Sequence, residues 1–107
     1  MEYQIEIYQT DNGKLPYKIW LSSLRDTKAK AIIRLRLDRL RLGNFGNCKS
    51  VGDGVFELKI DYGPGYRIYF GKIGRQIVLL LTAGDKSTQS GDLKKAKLYL
   101  EDYKIRE

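Results

Sequence analysis

Hydrophobic and polar residues alternate along two neighbouring stretches in the middle of the chain. In VFELKI, residues 55–60, the apolar side chains fall on one face and Glu57 and Lys59 on the other, because strand side chains switch faces at every residue. YRIYF, residues 66–70, repeats the alternation, and the turn formers DYGPG lie between the two stretches. The pattern predicts an antiparallel hairpin whose core face pairs Ile60 with Tyr66, Leu58 with Ile68 and Phe56 with Phe70.

The polar face of this hairpin carries an unusual pairing. The same register places Lys59 opposite Arg67 and Glu57 opposite Tyr69. Two like charges that face each other directly destabilise a sheet. The presence of Lys59 opposite Arg67 therefore favours a functional use for the two cations.

A third strand is predicted at residues 76–83, QIVLLLTA, where apolar residues follow one another without alternation. A short continuous run of this kind, bounded by Gly74 and Gly84, is typical of a central strand that is covered on both faces. The polar face of the hairpin is therefore expected to form a rim or a groove beside a covered centre.

The N-terminal part of the chain predicts a strand and two helices. YQIEIY at residues 3–8 alternates and is rich in β-formers. Pro16 fits the first turn of a short helix, and a second helix is predicted from an N-cap at Thr27 to Leu42. The short gap between the helices indicates an antiparallel helical hairpin.

Two further segments complete the predicted architecture. Residues 44–54 are rich in Gly and Asn and are predicted to be loop, whereas residues 90–103 form a surface helix. The predicted fold class is α+β, in the order β-α-α-β-β-β-α, with an antiparallel meander packed against the helical hairpin. A chain of 107 residues forms one domain, residues 1–107.

The second helix carries two apolar stripes. One stripe contains Ile33 and Leu37, and the other contains Leu35 and Leu42 on the opposite side. The second stripe either packs against the first helix or stays half exposed, or it binds a partner chain. Leu35 and Leu42 are the candidate partner-binding residues.

Composition narrows the possible chemistry. With one cysteine and no histidine, a zinc site of the usual Cys/His kind is excluded, and no cofactor is expected. Acid–base chemistry must rely on Glu, Asp, Lys, Arg or Tyr. The chain has no long apolar run and no signal peptide, so we expect a cytoplasmic protein without a membrane partner.

The charge of the chain favours a polyanionic partner. Lys and Arg number 20 against 13 Asp and Glu, giving a net charge of +7. For so small a domain, this excess indicates binding to nucleic acid, a ribosome or an acidic protein. A basic surface that serves solubility alone is the alternative.

Three cations meet near the end of the meander if the strands pair as predicted. Arg67 can clamp two phosphate oxygens, while Lys59 and Lys86 supply point charges for a developing anion. RNA cleavage needs little more, because the ribose 2′-hydroxyl is itself the nucleophile. Glu57 is a candidate base, and Lys59 or a tyrosine a candidate acid. Residues 84–89, GDKSTQ, lack the spacing of a nucleotide-binding P-loop.

The motifs GYRIYF and LLLTAGDKSTQ, followed by Asp92 and Ala96, resemble the RelE/ParE toxin superfamily, and most of all its phage Gp49-like, or HigB-like, branch of addiction-module killer proteins. The resemblance covers nearly the whole chain. It implies a RelE-like fold akin to microbial ribonucleases. It also implies an mRNA interferase that acts on mRNA at the ribosome and is silenced by a cognate antitoxin.

The resemblance also implies roles for individual residues. Arg67 matches the catalytic arginine of the family and Lys59 a catalytic lysine, while Lys86 lies near the basic residue after the last strand. Glu57 stands where many relatives have a second lysine, and the histidines of some HigB-like members are missing. RelE-like enzymes use a C-terminal aromatic residue, for which Tyr99 and Tyr103 are the two candidates here. Tyr69 and Lys72 are further candidate RNA-binding residues.

The superfamily contains a second kind of activity. The ParE branch has the same fold but inhibits DNA gyrase without cleaving RNA, and fold alone does not separate the two branches. A non-enzymatic gyrase inhibitor therefore remains the alternative, as does a decayed relative that only binds nucleic acid.

Overall fold

The computed structural model describes residues 2–107, which form a five-stranded sheet with three α-helices. The predicted fold class, α+β, is confirmed. The elements in chain order are β1 (Gln4–Ile7), α1 (Pro16–Ser23), α2 (Thr27–Arg41), β2 (Cys48–Gly52), β3 (Val55–Ile60), β4 (Tyr66–Ile73), β5 (Ile77–Asp85), a 3₁₀ turn (Lys86–Thr88) and α3 (Gln89–Arg106).

The strands lie in the order β1-β5-β4-β3-β2, with β1 parallel to β5 and the other neighbours antiparallel. The predicted hairpin register is confirmed at every pair, including Lys59 with Arg67 and Glu57 with Tyr69. Strand β5 lies between β1 and β4 and is buried along most of its length, so the prediction of a covered central strand is also confirmed.

Residues 44–54, predicted to be loop, contain a strand. Strand β2 pairs antiparallel with β3, and the residues Asp53 and Gly54 at the turn between them have φ angles of 54° and 81°. Positive φ at two consecutive positions suits a tight hairpin turn. The loop prediction was wrong because β2 is an edge strand held by backbone pairing, which its polar and glycine-rich composition does not reveal.

Helices cover both faces of the sheet. Helices α1 and α2 bury one face, in a cluster that includes Ile33, Leu40 and Ile68. Helix α3 covers the other face, where its buried Ala96 and Leu100 are the helical members of the second cluster. The predicted packing of the sheet against the helical hairpin is confirmed. Helix α3, predicted to be a surface helix, also covers the second of the two core clusters.

Helix α2 begins with a side-chain cap from Asp26. The Asp26 carboxylate accepts hydrogen bonds from the backbone N–H groups of Lys28 and Ala29, at 2.9 and 3.1 Å. The prediction of Thr27 as the cap was therefore wrong by one residue. The bond from Ala29, followed by that from the Tyr62 hydroxyl, lowers the pKa of Asp26 below its ordinary value.

The second apolar stripe of α2 faces outward. Leu35 is 50% exposed and Leu42 is 62% exposed, so neither packs against α1. Within residues 2–107, no helix is both long enough and apolar enough to cross a membrane.

The sheet makes a matched pair of leucine substitutions informative. Leu58→Ala should lower the free energy of unfolding by about 2–5 kcal/mol, because Leu58 has no exposed surface and its truncation leaves a cavity. Leu35→Ala, the same change at an exposed position, should change it by less than about 0.5 kcal/mol. Urea denaturation of both variants measures the difference, and equal effects would contradict the assigned core face.

Candidate functional site

A buried ion pair lies on the α3 face of the hairpin. Arg67 on β4 is 7% exposed and Glu57 on β3 is 3% exposed, and 3.7 Å separates Arg67 Nε from Glu57 Oε1. The Gln89 side chain, in the first turn of α3, donates from Nε2 to Glu57 Oε2 at 3.3 Å. The two strands and the start of α3 therefore fix the carboxylate, and the carboxylate faces the arginine.

The guanidinium of Arg67 has unused hydrogen-bonding capacity. Its Nε and Nη1 atoms are buried and have no hydrogen-bond partner among residues 2–107. Buried polar groups are normally paired, and an unpaired charged donor is especially unfavourable. Arg67 therefore presents a positive charge whose hydrogen bonding is incomplete within the part of the chain that the structure describes.

Arg67 borders an open cleft of about 310 Å³ that also holds two lysines. Lys59 lies on the strand opposite, and its Nζ is 3.6 Å from Asp61 Oδ1. Lys86 follows β5, and its backbone N–H donates to the carbonyl of Gly65 at 3.0 Å. The structure thus brings together the three predicted cations around one cavity that suits a phosphate group.

Close contacts between β5 and the start of α3 lie beside Arg67. Gly84 on β5 is the strand partner of Arg67. A Cβ atom at Gly84 would lie 1.8 Å from Asp92 Oδ2, so only glycine admits the Asp92 carboxylate there. Asp92 Oδ2 also accepts from the Thr88 hydroxyl at 2.5 Å. These contacts hold the start of α3 against the strand that faces Arg67.

Asp85 shapes the turn that carries Lys86. Its carboxylate accepts hydrogen bonds from the side chain and the backbone N–H of Ser87. The bond from the Ser87 hydroxyl, with smaller contributions that include the charge of Arg67, lowers the pKa of Asp85 below its ordinary value. The carboxylate therefore stays ionised and fixes the turn.

Burial does not fit the predicted roles of Glu57 and Tyr69. Glu57 is almost fully covered and does not line the cleft, so it cannot reach a ribose hydroxyl as a base. Tyr69 has no exposed surface, and burial raises the pKa of its hydroxyl. A tyrosine without an exposed ring face is not accessible for stacking on a base, so the predicted contact of Tyr69 with RNA does not fit its burial.

The other predicted RNA-binding residues lie away from the cleft. Lys72 is on the opposite face of β4, about 16 Å along the strand from Arg67, and its Nζ sits 4.3 Å from the ring centroid of Phe45. Tyr99 and Tyr103 lie about 15 and 21 Å along α3 from Gln89. Tyr99 stacks on Tyr8 at a centroid distance of 4.9 Å.

Sequence reasoning missed three residues of the site. Asp61 and Tyr62 were treated as turn formers, yet both line the cleft. Gln89 binds Glu57 from the first turn of α3. Asp61 and Tyr62 could have been found from their position in the sequence. A hairpin loop lies beside the last residues of its own strands, and here those residues include Lys59 and Arg67. Within residues 2–107, no group of three or more His, Cys, Asp or Glu side chains is placed to bind a metal ion.

Comparison with known proteins identifies relatives of this chain. The model of the family described as "Phage derived protein Gp49-like" matches residues 19–104, which include every residue of the cleft. An uncharacterized protein of Haemophilus influenzae strain Rd is 51% identical over 88 residues, which is 82% of this chain and 89% of that protein.

The contact between Gly84 and Asp92 can be tested by stability. Gly84→Ala should lower the free energy of unfolding by about 1–3 kcal/mol or more, because the added methyl group overlaps the Asp92 carboxylate. Thermal denaturation measures the loss.

Two controls make the result specific. Asp92→Ala in the Gly84→Ala background should restore part of the stability, because it removes the two overlapping Asp92 atoms and leaves Thr88 Oγ1, at 2.7 Å from the added Cβ. Gly91→Ala, inside α3 with nothing described within 4 Å, should stabilise by about 0.5–1 kcal/mol. Additive losses at Gly84 and Asp92 would contradict the contact.

Proposed function

We infer that this chain, which belongs to the phage-derived Gp49-like family, is the toxin of a toxin–antitoxin module. We propose that it cleaves mRNA on the ribosome. The family is toxin-like, of the HigB/RelE type. The observation that carries the proposal is the buried guanidinium of Arg67, which lies beside a cleft with two lysines and has two nitrogens without a hydrogen-bond partner among residues 2–107.

The charges of the cleft suit the transition state of RNA cleavage. The ribose 2′-oxygen attacks the adjacent phosphorus, and the bond from phosphorus to the 5′-oxygen breaks, leaving a 2′,3′-cyclic phosphate and a 5′-hydroxyl. The phosphorane carries more negative charge than the starting diester, and in the proposed mechanism the positive charge of Arg67 stabilises it. Glu57, fixed by Gln89, positions the guanidinium and does not touch the substrate.

Two proton transfers complete the reaction. Asp61 is the carboxylate among the cleft-lining residues described, and it accepts the proton of the 2′-hydroxyl. Lys86, which makes no ion pair within residues 2–107, donates a proton to the leaving 5′-oxygen. Lys59 is paired with Asp61 before this transfer, and once Asp61 is protonated its positive charge is free to act on the phosphate.

A cognate antitoxin is the proposed protein partner, in the cytoplasm where translation takes place. The net charge of +7 favours an acidic partner. Two outward leucines, Leu35 on α2 and Leu42 at its C-cap, offer apolar area outside the cleft.

Induced expression of the chain should arrest growth by stopping translation. Primer extension on a reporter message should reveal new 5′ ends inside the coding region, and only while the message is translated. Intact messages together with DNA damage and filamentation would contradict the proposal and support a gyrase inhibitor of the ParE kind.

Variants of the ion pair separate chemistry from folding in this assay. Arg67→Ala should slow single-turnover cleavage on programmed ribosomes by roughly a hundredfold or more, for a loss of roughly 3–4 kcal/mol of transition-state stabilisation. It should also unfold more easily, because it leaves the Glu57 charge buried without a partner.

A double variant provides the control. Arg67→Met with Glu57→Gln removes both charges, so it should melt near the wild type and still fail to cleave. Lys59→Ala, with its ammonium partly exposed, should slow cleavage without a loss of stability. Cleavage at the normal rate by the double variant would exclude Arg67 from the mechanism.

Binding of the antitoxin should depend on both charge and the α2 leucines. The association rate should fall as salt rises, because screening weakens long-range attraction. Leu35→Ala with Leu42→Ala should weaken affinity roughly tenfold to a hundredfold, whereas Ile105→Ala, another exposed apolar change, should have little effect. Surface plasmon resonance measures all of these, and a salt-independent association rate would contradict the role of charge.

A further inference from the structure

The cleft beside Arg67 contains one aromatic residue among the described residues that line it, Tyr62. The residue is partly exposed and follows the first strand of the hairpin. Nearby Tyr66 is buried and packs edge-on against Trp20 at 5.8 Å, so its ring is occupied. Tyr62 packs in part against the core cluster beneath α1 and α2, and the rest of its side chain is the aromatic surface that borders this cavity.

The position of Tyr62 is fixed from several directions. Its hydroxyl donates to Asp26 Oδ2 at 2.9 Å, and the same carboxylate caps α2 through its other oxygen. Its carbonyl accepts from the backbone N–H of Gly65 at 3.0 Å, which closes the turn. The Lys28 ammonium lies 5.9 Å from the ring centroid. A ring held in this way loses little freedom when a ligand binds, which favours affinity.

We propose that Tyr62 is a stacking platform for the nucleobase next to the phosphate held by Arg67. The inference rests on the proposed function, because that function supplies single-stranded RNA as the ligand. An aromatic ring beside cationic side chains is the combination that binds single strands: the cations contact the backbone and the ring stacks on a base. Stacking accepts any base, so Tyr62 adds affinity and register without strong sequence preference.

Tyr62 has a competing role as a tether between the hairpin loop and the cap of α2. The two roles make different demands on the side chain. A tether needs the hydroxyl that Asp26 accepts, whereas a platform needs the ring. Tyr62→Phe removes the hydroxyl and keeps the ring, and Tyr62→Leu removes both, so the pair of variants separates the roles.

The test is the affinity of the whole chain for a short single-stranded RNA with a 2′-deoxy nucleotide at the cleavage position, followed by fluorescence anisotropy at low salt. Tyr62→Leu should weaken binding roughly fivefold to a hundredfold, whereas Tyr62→Phe should stay within about twofold of the wild type. Tyr3→Leu, a change to a partly buried tyrosine outside the cleft, serves as the matched control. Thermal denaturation establishes that each variant is folded.

The same comparison is made with an RNA that lacks one base. Replacing the stacked base by an abasic nucleotide should weaken binding to the wild type by the same factor. The abasic RNA should bind Tyr62→Leu no more weakly than the intact RNA does, because the platform and its base act as a unit. Additive losses would overturn the proposal.

Three further outcomes would also overturn it: equal affinities of Tyr62→Leu and the wild type, an equal loss in Tyr62→Phe and Tyr62→Leu, or no measurable binding by the wild type. Cleavage of an all-ribose message on programmed ribosomes reports separately on the proposed function. A wild type that cleaves while Tyr62→Leu binds normally refutes the platform alone. If Tyr62→Leu and the abasic RNA weaken binding as expected but the wild type never cleaves, the proposed nuclease activity is refuted and the stacking role of Tyr62 is not.

Discussion

Burial of Glu57 and Arg67 side by side is the constraint on which the site depends. Moving two charges out of water costs several kcal/mol each, and their attraction offsets this only when the geometry is good. At 3.7 Å the pair is close but is not a short hydrogen-bonded bridge, and two nitrogens of Arg67 stay without an acceptor among the described residues. The sheet and α3 thus hold a guanidinium whose hydrogen bonding is incomplete, as an anion-binding group requires.

The same constraint explains why α3 begins where it does. Gln89 contacts the carboxylate of Glu57, and Asp92 lies directly over Gly84, the strand partner of Arg67. Both contacts are made by the first turns of the helix. A shift of α3 would therefore disturb the ion pair as well as the apolar contacts of Ala96 and Leu100.

The sequence predicted the sheet better than it predicted the exposure of its polar residues. Strict alternation determined the register of β3 and β4, because a slip by one residue would turn every core side chain to the other face. Alternation does not say what covers the polar face. Glu57 and Tyr69 were assigned to an accessible groove, but the start of α3 buries them, and this contact joins residues far apart in the chain. Strand β2 escaped prediction because backbone pairing holds it at the edge.

The predicted partner-binding and catalytic residues occupy different layers. The leucines of α2 belong to the helical layer on one face of the sheet, whereas Arg67 lies on the face that α3 covers. The hairpin loop joins the two layers, because Tyr62 reaches the cap of α2 from the rim of the cleft. A single partner that contacts both surfaces must pass over this loop.

The parallel pairing of β1 with β5 has a consequence for the order in which the protein forms. Gln4 pairs with Ile77. Strand β1, which leaves the ribosome first, therefore cannot pair until β5, the last strand, has been synthesised. Closing so long a loop is slow, since its entropy is lost before the contacts form. A nascent chain that has reached Arg67 still lacks Gly84, Lys86 and Gln89. The cleft is therefore assembled only near the end of synthesis, and an incomplete chain lacks the residues that close it.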